Sequence, residues 1–206
     1  MNIRELIEGS TAIPVLTVTD VAAGVALCRA LFAGGLTVLE VTLRTPQALD
    51  AVSAIARALP DAVVGVGTLT RVEEFQRARD AGARFAVSPG LTQRLAVAGA
   101  ESGMPYLPSA VTASEVMAAR EWGFDTLKFF PCKTAGGAAA LKSLAPVFPD
   151  VAFCPTGGLT AEDFRDYLAL ANVVCVGGTW MTPAKLVEAR DWPAIEALAR
   201  ATVSQG

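Results

Sequence analysis

At 206 residues and 21.3 kDa the chain has the length of one domain, or of two very small ones, and a core of that size buries roughly 70% of the unfolded surface without disulfide staples. Hydrophobic residues at 52% against 18% charged exclude disorder and coiled coil, and no apolar run nears the ~18 residues of a membrane span despite a mean hydropathy of +0.44. A net charge of −3, with no basic block, argues against nucleic acid and anionic membrane as partners.

The histidine count is zero, which excludes Ser-His-Asp and Cys-His nucleophile systems and His-ligated zinc or haem. Acid–base work falls to Glu, Asp, Lys, Tyr or Cys. The cysteines Cys28, Cys132, Cys154 and Cys175 form no CxxC pair, and reduced thiols in a cytoplasmic protein are expected. Glu5 and Glu8 stand where a signal peptide would be apolar, so the start reads as a short amphipathic helix with Ile3, Leu6 and Ile7 on one face.

Short apolar, β-branched runs then recur at Ala12–Val18, Leu36–Leu43, Ala62–Val66, Arg84–Val87, Met104–Leu107, Thr126–Phe130, Val151–Cys154 and Val173–Val176. Their starts are roughly 20 to 26 residues apart, about one strand–helix unit with short loops. Between them lie helix signals. Asp20 is placed to N-cap a segment that Gly34-Gly35 stops, and Thr45-Pro46 reads as an N-cap followed by proline at the first helical position. Thr70-x-x-Glu73 and Thr112-x-x-Glu115 read as capping boxes, and Gly82, Gly103 and Gly123 fall at expected C-caps. The runs are apolar on both faces, as parallel strands covered by helices must be.

Eight even units favour an α/β fold closed as a (β/α)8 TIM barrel with an extra N-terminal helix, in a single domain over residues 1–206. The alternative, an open doubly wound sheet, is disfavoured because Thr19-Asp20, not a glycine-rich fingerprint, follows the first strand.

In such a barrel the site lies at the C-terminal strand ends. Gly157-Gly158 and Gly177-Gly178 follow the seventh and eighth runs, the place where barrels bind phosphate through backbone N–H groups, although tight turns would demand glycine there too. Of the four lysines, Lys142 and Lys185 lie in helical stretches and Lys133 in a loop, whereas Lys128 sits inside an apolar strand between Leu127 and Phe129. A desolvated amine there is expected to have a lowered pKa and to serve as a nucleophile toward carbonyl carbon, unless it is a structural partner of a buried carboxylate. Alternation puts Glu40, Thr42 and Arg44 on one side of the second strand, a set suited to proton transfer and carboxylate binding, with a structural Glu–Lys or Glu–Arg pair as the other reading.

At these residues the chain resembles a known family. Glu40-Val41-Thr42-Leu43-Arg44-Thr45, Gly67-Thr68, Ser88-Pro89-Gly90, Leu127-Lys128-Phe129-Phe130-Pro131, Phe153-Cys154-Pro155-Thr156-Gly157-Gly158 and Gly177-Gly178-Thr179-Trp180 are similar to the 2-keto-3-deoxy-6-phosphogluconate and 4-hydroxy-2-oxoglutarate aldolases. The resemblance implies a class I pyruvate aldolase, usually a homotrimer, acting on a small 2-keto acid without metal or cofactor. It implies Lys128 as the Schiff-base lysine and Glu40 as general acid–base. Arg44, Thr68 and Pro89 fall on the pyruvate carboxylate side. Thr156, Gly157, Gly158, Gly178 and Thr179 fall on the phosphate side, with Thr179 where serine is common. Arg44 favours the gluconate branch over the galactonate branch. The rival readings are another phosphate-binding barrel enzyme, such as an isomerase or synthase, and a non-catalytic sugar-phosphate-binding protein.

Overall fold

A computed structural model describes residues 2–204. The first helix, α1 (Ile3–Ile7), is closed by a capping box in which Asn2 and Glu5 exchange side-chain-to-backbone hydrogen bonds. Eight strands follow: β1 (Ala12–Leu16), β2 (Val38–Thr42), β3 (Val63–Gly67), β4 (Phe85–Val87), β5 (Tyr106–Leu107), β6 (Thr126–Phe129), β7 (Ala152–Pro155) and β8 (Val176–Gly178). The helices between and after them are α2 (Val21–Ala33), α3 (Ala48–Ala58), α4 (Glu73–Asp80), α5 (Gln93–Ser102), α6 (Ala113–Glu121), α7 (Gly137–Leu144), α8 (Phe164–Leu168), α9 (Ala184–Glu188) and α10 (Trp192–Val203).

All strand pairs are parallel. One run of neighbours is β5-β4-β3-β2-β1-β8, and β6 pairs with β7. Bridges at Ser109↔Lys128 and Thr156↔Gly177 join the two runs on both sides, with backbone bonds such as Lys128 N–H to Pro108 carbonyl at 2.8 Å. The sheet is therefore closed, as the eight-unit spacing predicts, and not the open alternative.

Strand alternation splits the core in two. Leu39, Val41, Val64, Val66, Leu127 and Phe153 face the surrounding helices in one cluster. Ile13, Val38, Phe85, Val87, Leu107, Cys154 and Cys175 form a second cluster inside the barrel, together with Ile3, Leu6 and Ile7 of α1. The N-terminal helix is thus a plug: its apolar face seals the end of the barrel where the strands begin.

Three interior glycines let neighbouring strands fill the lumen. A Cβ on Gly65 would lie 2.3 Å from the Phe85 ring, one on Gly67 would lie 1.9 Å from Glu40 Oε1, and one on Gly177 would lie 2.4 Å from Thr156 Oγ1. Each glycine makes room for a larger side chain from the adjacent strand.

Several local expectations hold. Asp20 caps α2 by accepting from Ala23 N–H, Thr112 and Glu115 form a capping box on α6, and Gly82, Gly103 and Gly123 end helices at positive φ. Three do not. Thr45-Pro46 does not start a helix: the Thr45 hydroxyl donates to the Val18 carbonyl, and α3 begins two residues later after an uncapped Gln47. At α4 the carboxylate that receives the Thr70 and Arg71 amides is Glu74, not Glu73, and the helix carries no side-chain cap. The eighth strand begins at Val176, the last residue of the expected run, so Gly177 and Gly178 are strand residues; before it, Val173 forms an isolated bridge to Phe153 and Val174 N–H donates to the Phe153 carbonyl.

Gly65→Ala tests the lumen packing. The added methyl must displace a fully buried aromatic ring, so chemical denaturation is expected to show a loss of about 1–3 kcal/mol. A midpoint unchanged from wild type would contradict the packing account.

Candidate active site

Above the apolar plug, two charged side chains enter the lumen from strands that are not sheet neighbours. Lys128 Nζ on β6 lies 3.2 Å from both Oε1 and Oε2 of Glu40 on β2. Both side chains are almost fully buried, at 7% and 4% exposure. Removing two ions from water costs several kcal/mol each, about what a direct pair in good geometry must offset. The Phe130 ring adds its face, with Nζ 5.6 Å from the ring centre. The amine and carboxylate are within hydrogen-bond reach, so a proton can pass between them without an intervening water.

Above Glu40 on the same strand, the buried Thr42 donates to the Leu16 carbonyl at 2.9 Å and therefore accepts from Thr17, 3.2 Å away. Arg44 lies just past β2, exposed at the rim, and its Nε donates to Thr68 Oγ1 at 3.1 Å. Thr68 has φ +61, a left-handed conformation that a β-branched residue adopts only under constraint. That strain holds its hydroxyl against the guanidinium and leaves the terminal nitrogens of the fork for a bidentate ligand. Pro89, also exposed, is carried on a short arch: Ser88 donates to the Gly90 carbonyl and accepts from the Tyr106 hydroxyl, both at 2.6 Å. Burial pushes the Tyr106 phenol up to about 12, against the lowering effect of Ser88, so it remains a donor across the physiological range.

On the opposite side, buried Thr156 at the end of β7 donates to the Cys154 carbonyl at 3.3 Å. Gly157 and Gly158 follow at φ +102 and +86, a turn that favours glycine. Gly178 has a packing reason as well: a Cβ there would lie 1.8 Å from the Trp180 ring, which stacks on Phe164. Thr179 is exposed at the mouth beside it. All ten residues singled out from the sequence thus fall at or above the upper lumen, with Lys128 and Glu40 at its floor.

The remaining lysines sit as expected. Lys142 and Lys185 are exposed on α7 and α9, and Lys133 is in the loop after β6, paired with Asp163. Burial pushes the Cys28 thiol up to about 12 and the Cys132 thiol up to about 11. The Cys175 thiol, 3.3 Å from Cys154 Sγ, is held well above its ordinary value by that contact and by burial. Protonated thiols are poor nucleophiles, so burial makes these three cysteines unreactive. Among the described residues no cluster of three Cys, Asp or Glu side chains could hold a metal ion.

Thr17, Ser109 and Phe130 also belong to the site, although no feature of residue type marks them in the sequence. Ser109 is buried beside Lys128 by the closing bridge, and Phe130 lies against the amine. Their signal is positional: each is at or just past a strand's C-terminal end.

A buried lysine paired with a carboxylate near the mouth of a (β/α)8 barrel is an arrangement suited to carbonyl chemistry through an amine. The sequence matches the family described as "Aldolase: KDPG and KHG aldolase" over residues 3–198. It is 46% identical over 200 residues to the KHG/KDPG aldolase of Escherichia coli K12, covering 97% of this chain and 94% of that one. It is 44% identical over 201 residues to the 2-dehydro-3-deoxy-phosphogluconate aldolase of Pseudoalteromonas atlantica, covering 98% and 94%. The structure of the KDPG aldolase from Legionella pneumophila, with pyruvate captured as a covalent carbinolamine, superimposes with a TM-score of 0.96 at 40% identity over 98% of both chains. This chain belongs to the KDPG and KHG aldolase family.

The ion pair makes a thermodynamic prediction. Lys128→Met leaves the Glu40 carboxylate buried without its partner and should cost about 3–5 kcal/mol at neutral pH, and adding Glu40→Gln should recover part of that loss. Additive losses in the double-mutant cycle, measured by urea unfolding, would contradict a direct interaction.

Proposed function

We propose that this protein is a class I aldolase that reversibly cleaves 2-keto-3-deoxy-6-phosphogluconate to pyruvate and glyceraldehyde 3-phosphate, and also 4-hydroxy-2-oxoglutarate to pyruvate and glyoxylate. The observation that carries the proposal is the buried contact between Lys128 Nζ and both Glu40 oxygens at 3.2 Å, in a chain of this family. The family relatives bear the matching names.

The chemistry follows from that contact. Glu40 accepts the proton that the Lys128 amine must give up, and the free amine adds to the C2 carbonyl to form a carbinolamine. Glu40 returns a proton as water leaves, giving an iminium. Glu40 then takes the C4 hydroxyl proton; the C3–C4 bond breaks, the aldehyde departs, and the bonding electrons pass into the iminium to form an enamine. Protonation at C3 and hydrolysis release pyruvate and restore the amine. The electron sink is the protein's own nitrogen.

Arg44, held by Thr68, is suited to the ketoacid carboxylate, with Pro89 forming the wall beside it. This arginine also supports the gluconate over the galactonate branch. Thr156, the Gly157-Gly158 turn, Gly178 and Thr179 are proposed to face the far end of the substrate, with Thr156 controlling its stereochemistry and the others its phosphate. The reading extends to a cytoplasmic homotrimer. Cysteines without disulfides support the compartment, and exposed Met117, Trp122 and Val147 are apolar surface that subunit contacts would cover.

Pyruvate release, followed by coupled NADH oxidation, tests the function with either substrate. Wild type is expected to turn over both, and Glu40→Gln to lose roughly 10²–10⁴-fold in kcat while remaining folded. Turnover of the folded variant within a few-fold of wild type would reject Glu40 as the proton-transfer group.

A further inference from the structure

The mouth segments that carry the residues assigned above to the phosphate, 156–160 and 176–182, contain no lysine or arginine. Backbone amides and threonine hydroxyls, with no side-chain cation of their own, would then face a doubly charged group. The cation that lies against this region comes from the neighbouring β6 loop. Lys133 N–H donates to the Gly157 carbonyl at 3.2 Å, and Cys132 N–H donates to the Thr156 carbonyl at 2.8 Å, so the two loops are stitched together. The Lys133 stem runs along the glycine turn: a Cβ on Gly158 would meet its Cβ, Cγ and Cδ at 3.1–3.2 Å. A glycine at 158 therefore serves the approach of this lysine as well as the turn.

The ammonium is aimed. Nζ pairs with Asp163 Oδ2 at 2.5 Å, and Asp163 Oδ1 accepts from Thr160 N–H at 2.8 Å, which ties the carboxylate to the end of the same turn. An ammonium has three donors, and Asp163 engages only part of that capacity. The Lys133 side chain stays 43% exposed beside the β7 turn, so burial does not seal it from a ligand there. A lysine whose stem packs on a glycine turn and whose head is fixed by an anchored carboxylate loses less freedom on binding a ligand than a loose surface lysine does.

We propose that Lys133 is a specificity-determining residue: its ammonium, aimed by Asp163, binds the phosphate of the phosphorylated substrate at the β7 turn. The proposal rests on the aldolase reading given above and adds a side-chain cation to a subsite otherwise made of amides and hydroxyls. It also assigns the Lys133–Asp163 pair a role beyond surface stability, which for an exposed pair is small.

The test compares steady-state kinetics on 2-keto-3-deoxy-6-phosphogluconate and 4-hydroxy-2-oxoglutarate for wild type, Lys133→Met, Lys133→Gln and Lys133→Arg. The ratio of kcat/KM, phosphorylated over unphosphorylated, should fall about tenfold in the Met and Gln variants, the low end for a charge-assisted hydrogen bond at a half-open site. The fall should be carried by KM, and Arg should restore most of it. The Ki of inorganic phosphate against 4-hydroxy-2-oxoglutarate cleavage should rise by a similar factor. A ratio and a Ki within twofold of wild type in a folded neutral variant would overturn the proposal. Thr179→Ala separates the levels of failure. If it lowers the ratio while the Lys133 variants do not, Lys133 alone is rejected. If neither moves ratio or Ki, the phosphate assignment of this end falls, and the Lys133 proposal with it. Wild type with no turnover of either substrate would reject the aldolase reading itself.

Discussion

The molecule is organised around one expensive contact. Lys128 and Glu40 are separated by 88 residues in sequence, enter from non-adjacent strands and meet across the lumen with almost no access to water. Neither charge is tolerable there without the other. Their meeting requires a closed sheet, because only closure lets β2 and β6 face each other across an interior. In an open sheet the same residues would sit apart on one face. The closed barrel is therefore what brings the two charges together.

The surroundings are shaped to that pair. Gly67 gives the Glu40 carboxylate its space, Gly65 admits Phe85 beneath, and Gly177 admits Thr156 on the other wall. Ile3, Leu6 and Ile7 close the barrel below, so the amine and carboxylate sit on an apolar floor and open only upward. A low-polarity site of this kind strengthens every charge interaction within it and keeps proton transfer between fixed partners. At the rim the polar groups fall into two sets. Arg44, strained Thr68 and the Ser88-Pro89-Gly90 arch stand on one side, and the β7 turn, Thr179 and Lys133 on the other. A substrate with an anion at each end fits that division, with its carbonyl between them at Lys128.

Much of this organisation is legible in the amino-acid sequence. Period and spacing reveal all eight strands, since parallel strands buried on both faces leave continuous apolar runs. Lys128 stands out because a lysine within such a run needs a reason. Non-local information is not legible. Nothing in the local pattern of β2 distinguishes an acid that pairs with Lys128 from one that pairs with Arg44; the register of a closed barrel decides it. The misplaced features have the same origin. Thr45 has the local pattern of a cap, but its hydroxyl serves the carbonyl of Val18, 27 residues away. Gly178 has that of a loop glycine, but it is a strand residue kept small by Trp180. The eighth apolar run starts at Val173 because the apolar residues of this segment precede its glycines, whereas the pairing with β1 begins at Val176.

The central claim is that Lys128 is a nucleophile and not merely a structural partner of Glu40. Both roles explain a buried ion pair, and only one of them forms a covalent bond to substrate. Incubation with pyruvate and borohydride, followed by peptide mass mapping, separates them most directly. The account predicts irreversible loss of activity with one reduced pyruvyl adduct, on Lys128. An adduct on Lys133 instead, or an enzyme that stays unlabelled while it turns over substrate, would contradict it.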